Sequence, residues 1–342
     1  MLRKRLLVLL LAAAMMLPLA MVPASAGNPD ITGEVWIYTS IYPEIIEILK
    51  PYLAEEFPNL TVEWYQDGTG TVMSRMAVEI ESDTIGCDVL MVADPSYNII
   101  LKDQYLLHPY VSVHHDAIDQ KDPEGYWYSV RGCNMIIAYN SDKTSEEDIP
   151  HTWVELAEDA RFKGRIAMPD PSKSGTATVA AGTLAKVYGY EYFDKLAANG
   201  MVVEAGNNGI NDKLLTGEYI AAMILEENIL KLREQNNEPL KVYYPDDGTI
   251  SIPSAICTIN TSNNLPACEA LTDFFLSPKG QEAFIAGWMH SVRNDFEIYP
   301  YDAKPTGVIA ENAIVVDWQW LADNQEEIKG NFRTALIDNI LP

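Results

Sequence analysis

Along residues 33–94 the apolar positions follow two alternating rhythms. "GEVWIYTS" is a short apolar run of strand type, and in the next piece Ile45, Ile46, Leu49, Leu53 and Phe57 recur at helical spacing. "LTVEWYQ" reads as a strand, "TVMSRMAVEIES" as a helix and "CDVLMVAD" as a buried strand. Strands that alternate with helices predict an α/β unit with a largely parallel sheet. In such sheets ligands gather at the carboxyl ends of strands, in the loops that lead into helices. Those loops are "YTSIY" at 38–42, "QDGTGT" at 66–71 and "ADPS" at 93–96.

An extended aromatic and β-branched passage, "GYWYSVRGCNMIIAYNSD", follows, and then a second α/β series begins with "GRIAMPD". It continues through "GMVVEA", "GINDKLLTG", "EYIAAMILEEN" and "PLKVYYPDDGT". A second extended passage, "ISIPSAICTINT", precedes the amphipathic helices of the C-terminal part. Two extended passages around a middle α/β block imply that the chain crosses between two lobes twice. The expected division is 27–138 plus 255–342 for lobe one and 139–254 for lobe two. The hinge is expected near Tyr139–Asn140 and Ile250–Pro253.

The first 26 residues carry a different pattern. "MLRKR" is a basic start, "LLVLLLAAAMMLPLAMV" an apolar core and "ASA", ending at Ala26, a cleavage signature. The chain is therefore expected to be exported, to the periplasm, as a soluble protein. Removal of residues 1–26 takes away three basic residues, so the formal charge falls from −25 to −28. That charge excludes nucleic acid and anionic membrane as expected partners. Cys87, Cys133, Cys257 and Cys268 permit disulfides in three connectivities, or four buried thiols. None has the C-x-x-C spacing of a metal or redox motif.

The chemistry concentrates where strand-like runs meet helix starts. "DPSKSGTAT" at 170–178 places hydroxyls and free N–H groups at a helix N-terminus, a favourable place for an anion. Ser174 or Thr176 also suits a simple N-cap. Thr39–Ser40 and Thr69–Gly70–Thr71 occupy the matching corners of the first unit, and Ser174–Gly175–Thr176 those of the second. Glu226 and Glu227 follow an apolar strand, and so can receive ligand hydroxyls or an amine, or only complement a helix dipole. Asp94 carries the same two readings. Arg131 is read either as a positive contact near the crossover or as a salt-bridged surface residue. Hydrolase, β-lactamase and zinc-protease motifs are not found, and His114–His115 reads as loop surface.

The chain resembles the periplasmic substrate-binding proteins of ABC importers, in the ferric-iron and organophosphate branch. The resemblance is carried by "VWIYTS", "GTGTVMSRMAVEIES", "CDVLMVAD", "IIAYNSD", "HTWVELAEDARFKGRIAMPDPSKSGTAT", "YYPDDGT" and "FFLSPKGQEAF" with "VRNDF". It implies an α/β two-lobe clamshell of type II topology, each lobe a central mixed sheet flanked by helices. It also implies a monomeric, non-enzymatic receptor, without a cofactor, that hands a small solute to ABC permease membrane subunits. Two ligand classes are open. A phosphorylated solute (sugar phosphate, other phosphate ester or phosphonate) would be held by Thr39, Ser40, Thr69, Gly70, Thr71, Asp94, Ser174, Gly175, Thr176, Glu226 and Glu227. Ferric iron would instead use Tyr38, Tyr42 and Glu226, the pair Tyr243–Tyr244 being read as strand aromatics. The alternative from another class is an exported α/β hydrolase or phosphatase.

Overall fold

The computed structural model describes residues 27–296 and 298–338. The expected signal segment, 1–26, lies outside the described residues. Ten strands form a single curled sheet: β1 Thr32–Thr39, β2 Asn59–Gln66, β3 Val89–Val92, β4 Leu107–His108, β5 Tyr128–Asn140, β6 Ile166–Pro169, β7 Val202–Glu204, β8 Ala221–Leu225, β9 Leu240–Tyr243 and β10 Ile250–Ile259. Their order is β2-β1-β3-β10-β5-β8-β6-β7, with β4 on β10 and β9 on β5.

The order contains the same motif twice. In β2-β1-β3 the strands pair in parallel, and so do those in β7-β6-β8. Parallel neighbours need a crossover, which helices supply here. Pro43–Glu56 and Thr69–Glu81 connect the first set; Gly175–Tyr188, Glu191–Ala198 and Asn207–Thr216 connect the second. Beside each set lies one long antiparallel strand, β10 next to β3 and β5 next to β8. Both lobes are therefore α/β, as the periodicity predicts, and the antiparallel β5 and β10 make their sheets mixed, as the resemblance implies.

Burial explains why these segments are strands. All four residues of β3 and all five of β8 are buried, the pattern of strands covered on both faces. In lobe one, Val35, Ile37 and Leu49 pack with Phe275 and Phe284 on one face, while Tyr38, Val72, Met76 and Leu90 pack on the other. In lobe two, Met168, Val179 and Phe193 cover one face, and Ile136, Ala167, Ile210 and Ile224 cover the other.

The two lobes share β5 and β10. Residues Tyr128–Met135 of β5 pair with β10, and Met135–Tyr139 pair with β8. Met135 pairs with both, and beyond it β9 takes the place of β10 along β5. On β10 the register shifts between Ser254 and Ala255, next to the residues that pair with β3.

The last helix, Trp318–Leu336, departs from the expected grouping of 255–342 with lobe one. Its stripe of Leu321, Ile328, Phe332 and Leu336 enters the lobe-two core with Val179, Leu184 and Phe193. Phe332 meets Phe193 edge-on, with ring centroids 5.4 Å apart. No periodicity argument assigns an amphipathic helix to one of two available sheets, so this placement had to come from the structure. All four cysteines are buried free thiols. Among the described residues no helix is long and apolar enough to cross a membrane.

Candidate ligand cleft between the lobes

Six strand-to-helix corners, three from each parallel set, converge on one cleft of about 320 Å³. Lobe one contributes Ser40 after β1, Gly68 and Thr69 after β2, and Ala93 after β3. Lobe two contributes Ser174 and Thr176 after β6, Gly206 and Asn207 after β7, and Leu225 at the end of β8 with Glu227 after it. Parallel strands point all their carboxyl ends one way, so the two sets present their loops to each other.

Five helices begin at this cleft. Their N-cap positions, Tyr42, Gly68, Ser174, Gly206 and Leu225, all line it. Each start leaves backbone N–H groups without helical partners and places the positive dipole end toward the cleft. Their sum favours an anion. Ser174 serves two ends: its Oγ accepts from the Ala177 N–H at 3.4 Å and lies 3.0 Å from the Thr176 Oγ1. Thr176 is 3 % exposed and caps nothing. Ser40 Oγ accepts from the Ala93 N–H at 3.3 Å, which ties the β1 and β3 corners together.

Several expected contacts have other roles. The Thr39 hydroxyl donates to the Met91 carbonyl at 2.8 Å and accepts from the Ile41 N–H, so the backbone consumes it. Thr71 is exposed and off the lining. Gly70 and Gly175 do not line the cleft but let the lobes touch. A Cβ on Gly70 would lie 2.5 Å from the Ser172 carbonyl oxygen, and one on Gly175 would lie 2.6 Å from the Thr69 methyl. The Gly70 N–H points to the Lys173 carbonyl at 3.4 Å.

Asp94 caps the helix Pro95–Asp103 and accepts from Gln325 of the last helix at 2.9 Å. Burial pushes its carboxyl up to about 6, against the hydrogen bonds from Ser96. Glu226 turns toward the hinge. Its Oε2 accepts from Asn134 at 2.7 Å and sits 2.9 Å from His290 Nε2, while Tyr244 donates to Oε1. Successive residues on a helix point about 100° apart, so only Glu227 of the pair reaches the cleft.

The three tyrosine and carboxylate groups of the iron reading are not brought together. Tyr38 packs in the lobe-one core and donates to Glu79 at 3.0 Å, with Arg75 over its ring. Glu226 lies behind the cleft, which leaves Tyr42 alone on the lining. Tyr243 stacks on His151 at 4.6 Å and, like Tyr244, stays off the lining.

Arg131 supplies the cation. It is 3 % exposed and lines the cleft from β5. Its Nη1 contacts Cys133 Sγ at 2.8 Å and Met289 Sδ at 3.2 Å, and its Nε has no partner. Glu227 faces it at 3.9 Å. Burial pushes the Glu227 carboxyl up to about 7; the Arg131 charge opposes this and the Glu226 charge adds to it. Burial also raises the Tyr42 phenol, and the Glu227 charge raises it further. Lys173 and the corner at Gly206–Gly209 also line the cleft, beyond the residues expected from the sequence. The second had the same signal as the others, a glycine- and asparagine-rich turn between a strand and a helix.

With this geometry in view, the chain belongs to the bacterial extracellular solute-binding proteins, whose family model matches residues 88–323. It is 23% identical over 230 residues to a probable ABC transporter periplasmic-binding protein of Sinorhizobium fredii, covering 64% of this chain and 63% of that one. Its fold matches iron-bound HitA from Pseudomonas aeruginosa with a TM-score of 0.78 at 18% identity, over 87% of this chain and 99% of that one. It also matches AfuA from Actinobacillus pleuropneumoniae, with fructose-6-phosphate bound, with a TM-score of 0.76 at 20% identity over 89% and 98%. These solved structures are periplasmic binding proteins of the type II clamshell fold.

Proposed function

We propose that this chain is the exported, periplasmic receptor of an ABC importer. It closes two lobes around one small phosphorylated solute, a sugar phosphate or similar phosphate ester or phosphonate, and presents it to the membrane permease. The lobes are 27–138 with the chain from 255 up to the last helix, and 139–254 with that helix packed against it. The protein binds without chemical turnover and needs no cofactor.

One observation carries the ligand class: five helix N-termini and the buried Arg131 guanidinium face the same cleft as the hydroxyls of Ser40, Thr69, Ser174 and Thr176. Converging donors and dipole ends suit a phosphoryl group without a neutralising lysine at every oxygen. The strong net negative charge of the chain does not oppose this, because distant surface charges are screened while the cleft dipoles are local. The AfuA structure holds a sugar phosphate in the same fold, which agrees with this reading. Native mass spectrometry of the protein purified from an exporting bacterium tests it. The expected result is a retained adduct with the mass of a phosphate ester or phosphonate; an adduct of one iron atom would overturn the ligand class.

A further inference from the structure

Arg131 and Glu227 are both buried on the cleft lining, yet they do not satisfy each other. Their nearest atoms are 3.9 Å apart, beyond hydrogen-bond reach. A buried pair that served only as mutual counter-ions would close to the short, often bidentate contact that offsets its desolvation. Here Glu227 Oε1 has no partner, and neither has Arg131 Nε. The Arg131 Nη1 is spent on two sulfur atoms, which are weak acceptors. The cleft therefore carries one orphan acceptor and one orphan charged donor side by side.

We propose that Glu227, held beside Arg131, is the specificity residue that admits anions carrying their own O–H or N–H donor and turns away donor-free oxyanions such as sulfate. This rests on the phosphorylated-solute reading. A ligand that completes the closed cleft offers an anionic oxygen to Arg131 and a hydrogen to Glu227 Oε1. Hydrogen phosphate does both with one group. A phosphate ester with a neighbouring hydroxyl, or a phosphonate with an ammonium group, does so with two. Sulfate offers acceptors only, so one of its oxygens would face an ionised carboxylate with no proton between them. Burial of both side chains keeps water from masking that repulsion. A site that leaves a buried polar group unpaired rejects the incomplete ligand strongly.

The test is calorimetric titration of the full mature chain at pH 8 with inorganic phosphate and with sodium sulfate. Wild type is expected to bind phosphate about tenfold more tightly than sulfate, the cost at pH 8 of protonating a carboxyl that titrates at about 7. Glu227→Gln, whose amide can donate, is expected to bind sulfate about tenfold more tightly than wild type does. Sulfate bound by wild type within threefold of phosphate, or a ratio unchanged in the variant, overturns the filter while leaving the phosphate reading intact. If the variant does not fold, the wild-type ratio alone decides. Absence of binding by phosphate and by every phosphate ester and phosphonate titrated beside it would instead remove the reading on which the filter stands.

Discussion

Asn228 donates its side-chain amide to the Tyr42 hydroxyl across the cleft, at 3.1 Å. The bond joins the start of a lobe-two helix to the corner that follows β1 in lobe one. One turn further along, Lys231 pairs with Glu44 across the same gap. On the other flank, the corner at Thr69–Gly70 presses against residues 172–175. The lobes touch on both sides, so this is a shut clamshell, and two of its closing residues, Tyr42 and Thr69, also line the cleft.

Tyr42→Phe removes one closing contact and leaves the ring in place. A hydrogen bond of this kind is worth about 1 kcal/mol net, so the shut form should lose roughly fivefold in population relative to the open one. The expected result is a severalfold weaker affinity with an unchanged melting temperature in the ligand-free protein. Small-angle scattering of the ligand-free variant should show a radius of gyration at or above that of wild type.

Gly70→Ala tests closure from the other flank. Alanine is better than glycine inside a helix by about 1 kcal/mol, and Gly70 lies in the first turn of Thr69–Glu81. The open protein should therefore melt no lower than wild type. In the shut form the added methyl meets the Ser172 carbonyl oxygen, so affinity should fall by roughly tenfold or more. Equal affinity for the variant and wild type would mean that the two corners do not meet in the bound state.

Ser174 and Thr176 separate capping from binding. Thr176→Val removes a hydroxyl that caps nothing, so it should weaken phosphate binding roughly tenfold to a hundredfold and leave the melting temperature almost unchanged. Ser174→Ala should weaken binding and also lower stability by about 1 kcal/mol, because its Oγ caps the helix Gly175–Tyr188. Titration calorimetry beside thermal melts reads both effects. Early melting with undiminished binding in both variants would reduce the segment to a helix cap.

Much of this was readable from residue order alone. The alternation of periods specified two α/β sets, and the small hydroxyl residues at their corners marked Ser40, Thr69, Ser174 and Thr176. What periodicity does not encode is direction. Glu226 and Glu227 are adjacent and chemically alike, yet one serves the hinge and the other the cleft because of the turn angle of their helix. Thr39 looks like its neighbour Ser40, but strand alternation points its hydroxyl at a backbone carbonyl. Arg131 was open in the sequence between a positive contact near the crossover and a salt-bridged surface residue, because nothing in residue order says which way its strand faces. Only the junction of β5 and β10 places it at the cleft.

Glu227 also predicts a pH dependence of stability. Its folded carboxyl titrates at about 7, above the ordinary glutamate value of about 4.3. Between those values the unfolded chain holds fewer protons than the folded one, so stability falls as pH rises through this window. Arg131 and Cys133 from β5, Tyr42 from lobe one, His290 from the C-terminal segment and Glu226 on the same helix surround the group. Glu227→Gln removes this slope. The melting temperature of the variant minus that of wild type should therefore grow more positive from pH 5 to pH 8. A difference that is flat across this range would show that Glu227 titrates normally.

The central claim is that the cleft holds a phosphoryl group. Its most direct test is calorimetry of the refolded, ligand-free protein against glycerol 3-phosphate, glucose 6-phosphate, fructose 6-phosphate and 2-aminoethylphosphonate, with ferric citrate beside them. The account predicts that at least one phosphorylated compound binds with a defined stoichiometry of one, and that Thr176→Val loses most of that affinity. Ferric citrate should give no visible phenolate-to-iron absorption band. Such a band, together with no heat from any phosphorylated compound, would contradict the account.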